Sequence, residues 1–275
     1  MPVACNNHCM KMFNGYTLSN NHFAAMKTNH TISEIVKSDY RAAGVLEHFG
    51  IDFFSAGSMT IPEVCTSQHI DRKAIEQALD DLNTHPGHQD PHWNYAEWDT
   101  RFLVDFIVHA HHNYIRETVP ELLRHGIRVA GESGRPGAAH RLRMLSQDLM
   151  DDITRHLDLE EEVIFPYIVD LETALRENRA FVAPRFGRVE SPIGEVERMH
   201  SRALELLQEI RTQSGHYEIP ENATPDRKAW LALLKEFDAD LHLHLHLENN
   251  ILFPRAIALE AELLNRKGFT TIWFG

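Results

Sequence analysis

Cysteine is scarce in this chain: 275 residues contain three, at Cys5, Cys9 and Cys65. A small odd number without framework spacing excludes a disulfide scaffold and fits a reducing, cytoplasmic setting. Cys5 and Cys9 flank His8, but two thiols fall short of the usual four-ligand structural metal site. Long apolar runs are missing too. No stretch approaches the roughly 18 residues needed to span a bilayer, and the N-terminal segment has no continuous apolar core of the kind that directs secretion. Basic residues are outnumbered, 27 against 40 acidic ones, for a net charge of −13. That balance excludes an electrostatic footprint for nucleic acid. Neither a membrane nor a nucleic acid is therefore expected as a partner. The alternating apolar–polar pattern of half-buried strands is absent as well.

What the chain has in excess is histidine, nineteen residues of it. Their arrangement follows the organisation of the chain. Residues 1–30 carry no helical patterning and read as an extension. Residues 31–84 read as a small helical unit. Thr31 or Ser33 can cap its first helix, which is expected to run to about Phe49. Pro62 and Glu63 suit the first turn of a second helix, and Asp71 can cap a third from Arg72 to Leu82. A proline-containing linker follows. Residues 95–264 then read as four long amphipathic helices, near 97–127, 138–178, 190–213 and 225–264, separated by Gly- and Pro-containing breaks. Short connections between long helices predict an all-α, up-down-up-down four-helix bundle behind a small N-terminal helical domain.

Each helix shows an apolar stripe at steps of three and four. The first is Val104, Val108, Ile115, Val119 and Leu122; the second Leu142, Leu145, Leu149, Ile153 and Val163. The third is Ile193, Val196, Ala203, Leu207 and Ile210; the fourth Trp230, Leu234, Phe237, Leu241 and Ile251. Every stripe is interrupted by residues that bind metals. His112 interrupts the first, His156 and Glu160 the second, His200 the third, and His244 and Glu248 the fourth. An unpaired carboxylate in an apolar core costs several kcal/mol. Two carboxylates and four histidines at one depth call for cations.

The spacing strengthens this reading. His112 and His156 are 44 residues apart, as are His200 and His244, and the two halves repeat at 88 residues. The second and fourth helices share the phrase His-x-x-x-Glu-x-x-x-x-Phe-Pro, so whole helical hairpins are repeated. His and Glu at i,i+4 share one helical face, where the imidazole can bind one metal while the carboxylate bridges to a second. Two bridging glutamates and two lone histidines complete a two-metal set with open positions. Nitrogen and carboxylate donors without thiolate suit iron, with manganese and then zinc as rivals. Of the remaining histidines, His242 and His246 fall on other faces than His244 and are expected to be solvated or to support ligands. His109 and His111 lie off the first stripe, His109 within a turn of His112. His125 and His140 read as surface.

The motifs His156-Leu-Asp-Leu-Glu160-Glu-Glu-Val-Ile-Phe-Pro and His244-Leu-His-Leu-Glu248-Asn-Asn-Ile-Leu-Phe-Pro-Arg resemble those of hemerythrin-like proteins. More closely they resemble the bacterial "repair of iron centres" di-iron proteins, in which a small helical domain precedes the bundle. The resemblance covers residues 31 to about 262. It implies a cytoplasmic protein with two iron ions in a non-haem, oxo- or hydroxo-bridged centre held by His112, His156, Glu160, His200, His244 and Glu248. It also implies a role in restoring iron–sulfur clusters damaged by nitric oxide or oxidative stress, through iron donation or nitric oxide reduction, with iron–sulfur proteins as clients. Some members add a histidine after the first bundle helix; the stretch near Glu132–Ser133 has none. Members also carry a cysteine pair after an Asp-aromatic dipeptide, where this chain has Phe54 and Ser55. The open metal positions would equally serve reversible binding or sensing of oxygen or nitric oxide. The small domain is a candidate docking element for a client or for a second copy in a homodimer.

Overall fold

The computed structural model describes residues 30–38, 41–51, 53, 56–84, 95–132, 137–179, 184 and 186–266. The Cys5–His8–Cys9 group, all of the expected extension but His30, and Phe54, Ser55 and Ser133 lie outside the described residues. The chain divides into two compact units, Met1–His92 and Trp93–Gly275. Among the described residues all regular elements are helical, apart from one isolated antiparallel bridge between Thr31 and Thr60.

The first unit contains α1 (Ile32–Ser38), α2 (Arg41–His48), α3 (Ile61–Gln68) and α4 (Arg72–Thr84). Two helices thus replace the single one expected up to Phe49. The start of α1 is capped reciprocally: Glu34 N donates to Thr31 Oγ1 at 3.2 Å and Thr31 N donates to Glu34 Oε2 at 2.8 Å. The same device recurs at α3, where Glu63 Oε2 accepts from Thr60 N at 2.8 Å. Asp71 Oδ1 accepts from Lys73 N at 2.9 Å at the head of α4. These bonds satisfy N–H groups that a helix leaves open at its first turn. The core is aliphatic, with Ile32, Ile35, Leu46, Ile51, Ile61, Val64, Ile75 and Leu79 buried together; Cys65 is buried among them. Burial pushes the Cys65 thiol up, away from the reactive thiolate.

The second unit is the four-helix bundle. A 3-10 turn, Tyr95–Glu97, leads into α5, which runs as Thr100–Phe106, a π segment Ile107–His112, and Asn113–Glu132. Helix α6 runs as Ala138–Leu159, a π segment Glu160–Ile164, and Phe165–Glu177; α7 is Glu190–Gln213; α8 runs as Pro225–Leu247, a π segment Glu248–Leu252, and Phe253–Asn265. The start of α5 packs on the end of α6, and the end of α5 packs on the start of both α6 and α8, which makes successive neighbours antiparallel. Asp99 caps α5 through Oδ1, which accepts from Arg101 N at 3.0 Å, and Thr224 with Pro225 opens α8. Arg255, at the end of the Phe-Pro-Arg phrase, donates to Trp98 O at 2.6 Å and Ala96 O at 2.8 Å and so ties α8 to the lead-in of α5.

The π segments shift the buried face by about one residue, because each holds an extra residue in its turn. In α6 the expected stripe residue Val163 is exposed and Ile164 is buried instead. In α5 Ile107 is fully buried while Val108 is only partly so. The proline of the repeated phrase accounts for two of these segments. Pro166 and Pro254 have no N–H to give, and their rings crowd the carbonyl four residues back. The turn opens, and Phe165 N and Phe253 N donate to Glu160 O and Glu248 O, five residues earlier. No such proline marks Ile107–His112. No helix among the described residues is long and apolar enough to cross a membrane.

Candidate metal centre

The π segments place the site. Glu160 and Glu248 open theirs and His112 closes its own, consistent with the frequent use of such turns at functional positions. All six residues expected as ligands are buried in the bundle: His112, Glu160, His200, His244 and Glu248 are fully inaccessible and His156 is 1% exposed. They form two overlapping groups. His112, Glu160, His244 and Glu248 bring one donor atom each within 4.8 Å of one another, as do His156, Glu160 and His200.

Imidazole nitrogens converge on the two carboxylates. His244 Nε2 lies 3.0 Å from Glu248 Oε1, and His112 Nε2 lies 3.1 Å from His244 Nε2. His112 Nε2 is 3.5 Å from Glu160 Oε2 and 3.6 Å from Glu248 Oε1. On the other side His200 Nε2 is 3.4 Å from both Glu160 Oε1 and Glu248 Oε2, while His156 Nε2 is 3.8 Å from Glu160 Oε2. Each carboxylate therefore faces both groups.

Two contacts fix the histidine tautomers. His112 Nδ1–H donates to Glu161 Oε1 at 2.7 Å and His200 Nδ1–H to Asn249 Oδ1 at 2.8 Å, which leaves each Nε2 as a bare acceptor aimed inward. Both oxygens of Glu160, Glu248 Oε2, His200 Nε2, both nitrogens of His156 and His244 Nδ1 are buried without a hydrogen-bond partner. Buried polar atoms almost always find partners. A buried cluster of carboxylate oxygens and imidazole nitrogens without partners fits cations.

The protein groups alone are electrostatically strained. Burial and then the charge of Glu248 push the Glu160 carboxyl well above its ordinary range. Burial acts on Glu248 in the same sense, but His244 and the neighbouring His112 and His200 outweigh it and hold that carboxyl well below the usual value. Burial pushes His200 down, and pushes His156 far down with help from His200 and His244. His244 is pushed down to about 4, again mainly by burial. The pocket keeps the imidazoles neutral, the form that binds a metal, and a cation there would relieve its opposition to a second carboxylate charge.

Several neighbours escaped the reading of the sequence. Glu161 and Asn249 each follow one of the two buried glutamates and stand 88 residues apart, so the repeat itself carried the signal. His111, set aside as off the stripe, is buried; its ring stacks parallel to His244 at 5.8 Å and its Nδ1 lies 2.9 Å from Asp240 Oδ1. His242 and His246, expected to be solvated or to support ligands, are buried, at 7% and 1% exposure, because α8 is enclosed around nearly its whole circumference from Leu241 to Glu248. They bond to Asp238 and Asn250 instead of reaching the carboxylates. His109 points away, 2.7 Å from Asp105 O. His125 is only partly exposed and pairs with Asp226 at 2.7 Å, whereas His140 is exposed as expected. A surface groove of about 460 Å³, lined by Arg101, Val104, Val108, Glu161, Phe165, Pro166 and Val169, reaches Glu161 and Phe165, two of the residues in contact with His112.

The hemerythrin HHE cation-binding domain matches residues 103–256. The chain belongs to the hemerythrin family. Residues 28–83 match a separate domain of unknown function, DUF542. Among curated relatives of this hemerythrin-like chain, the iron-sulfur cluster repair protein YtfE of Edwardsiella ictaluri is 30% identical over 228 residues, covering 82% of this chain and 96% of the relative. Its namesake in Dickeya chrysanthemi is 29% identical over 233 residues, covering 83% and 97%. That of Musicola paradisiaca is 27% identical over 232 residues, covering 84% and 97%. In this hemerythrin-like bundle the buried histidine–glutamate clusters fit a metal site.

Proposed function

We propose that His112, His156, Glu160, His200, His244 and Glu248 hold two iron ions, and that the protein takes part in repairing iron–sulfur clusters damaged by nitric oxide or oxidation. One observation carries this reading. Glu160 is shared by two buried donor groups, and both its oxygens, Glu248 Oε2, His200 Nε2 and both nitrogens of His156 lack hydrogen-bond partners. The names of the relatives, which align over nearly their whole length, point to the same role. Nitrogen and carboxylate donors without thiolate suit iron.

Bound iron would supply a centre able to take up a diatomic molecule such as nitric oxide or oxygen, or to be passed to a client iron–sulfur protein. The chain's own residues set the conditions for this. Glu160 and Glu248 face both metal positions and would fix their separation. His112 and His244 serve one position, His156 and His200 the other. The side-chain bonds from Glu161 and Asn249 keep His112 and His200 in the tautomer that can bind, and the aromatic faces of Phe165 and Phe253, stacked on His112 and His200 at 5.5 and 6.1 Å, help to exclude water. Holding two iron ions in the bundle does not call on a cysteine pair at positions 54 and 55.

The test is elemental analysis joined to a repair assay. The expected result is about two irons per chain, with restored activity in a client enzyme whose cluster nitric oxide has damaged, and neither in the double variant His244→Ala/Glu248→Ala. A stable oxygen adduct without any cluster restoration would overturn the repair role in favour of gas binding.

A further inference from the structure

The 88-residue repeat is kept in geometry and broken in charge. The residue after each bridging carboxylate is Glu161 in α6 and Asn249 in α8. Both perform the same task on the histidine of a neighbouring helix, accepting from Nδ1–H of His112 at 2.7 Å and of His200 at 2.8 Å. One acceptor is a carboxylate and the other an amide oxygen. Arg116 secures the first, with Nη1 2.6 Å from Glu161 Oε1 and Nη2 3.3 Å from Asp158 Oδ1. The other two ligand histidines give no balancing effect, since Nδ1 of both His156 and His244 is buried without a hydrogen-bond partner. A carboxylate behind Nδ1–H makes the opposite nitrogen more basic and a stronger donor to metal than an amide does. In the donor groups the carboxylate-backed His112 belongs with His244, Glu160 and Glu248, and the amide-backed His200 with His156 and Glu160.

We propose that the two metal positions are inequivalent: the one served by His112 and His244 holds its ion more tightly, and the one served by His156 and His200 releases its ion first. Glu161 is then a positioning residue that sets the order of release. The inference rests on the two-metal reading above and adds to it which ion is available for transfer.

The experiment is release of ferrous iron from the fully loaded protein to an excess of ferrozine, followed by absorbance under anaerobic conditions. Wild type is expected to show two phases of equal amplitude. Glu161→Gln should speed the slow phase by about 10–100-fold and leave the fast one in place. Asn249→Asp, which places a carboxylate behind His200, should slow the fast phase and bring the two together. This reciprocal variant keeps the test decisive where Glu161→Gln does not fold. A single phase in wild type, or a Glu161→Gln effect confined to the fast phase, would overturn the ranking while two irons per chain left the two-metal reading intact. Fewer than two irons in the loaded wild type would overturn the two-metal reading itself.

Discussion

Asp238 is 3% exposed and gathers the partners that lock the α7–α8 turn to the bundle, chief among them Tyr217, whose hydroxyl donates to Asp238 Oδ2 at 2.7 Å. Arg211 Nε and Nη2 add bonds at 3.1 and 3.0 Å, and His242 Nδ1 lies 2.8 Å from Oδ1. This cluster stands apart from the donor groups that gather round Glu160.

Replacing Asp238 by Ala is therefore expected to cost on the order of 3 kcal/mol, the loss of one partner from a buried ion pair. Urea unfolding should show the lower midpoint. Iron content per folded chain should stay at the wild-type level, and a loss of iron in the folded variant would count against the separation of the two clusters.

The three histidines of Leu241–Leu247 should behave differently when truncated. His244→Ala removes a donor 3.0 Å from Glu248 and is expected to reduce the iron content by at least one ion per chain. His242→Ala and His246→Ala should keep both ions, since those rings bond to Asp238 and Asn250. Elemental analysis of the three purified variants decides the matter.

Acid should destabilise the metal-free protein. His156, His200 and His244 have folded-state values below the ordinary 6.5. Below pH 6.5 the unfolded chain takes up protons that the folded chain refuses, so stability falls by about 1.4 kcal/mol per histidine per pH unit. For His244 the fall levels off near pH 4. Glu160, whose value is raised above the ordinary 4.5, opposes the trend above that pH, but it is one group against three. Thermal midpoints of the metal-free protein at pH 7.5, 6.5, 5.5 and 4.5 should descend across the last three points. A flat series would refute the burial-driven shifts.

Gly126 has a purely steric role. A Cβ there would lie 3.0 Å from the Trp230 ring, which is 1% exposed. Gly126→Val should cost about 1–3 kcal/mol by overpacking, read as a lower midpoint in guanidinium with little change in iron content.

The four long helices were legible because their stripes are long and regular. The expected bounds of 190–213 match Glu190–Gln213, and 225–264 stops one residue short of Asn265. The six buried donors were legible because each interrupts an apolar stripe and recurs at a fixed spacing. What the pattern hid was the local winding. Periodicity assumes 3.6 residues per turn throughout, so Val163 was placed inside when the π segment turns it out and Ile164 in. The surroundings of His242 and His246 were hidden for another reason: a stripe identifies the face toward one core, while α8 is enclosed on several sides at that depth. Glu161 and Asn249 were overlooked because polar residues beside a buried ligand look like surface until the neighbouring helix is in place.

The π segments also make each ligand-bearing turn a place where the helix can lose one residue and keep its far end in phase. An α-helix advances about 100° per residue, and each of these turns stores one residue beyond the α count. Deleting a single residue between Glu248 and Leu252 would return α8 to ordinary winding and leave the phase beyond it unchanged, so the buried Phe253, Ala256 and Leu263 would stay inside, whereas the same deletion in a regular stretch of the helix would turn them toward solvent. Single-residue deletions should therefore be disruptive in the regular stretches of these helices, where each turns the far end by about 100°, and far milder in the π turns, where the cost falls on the ligand-bearing backbone alone.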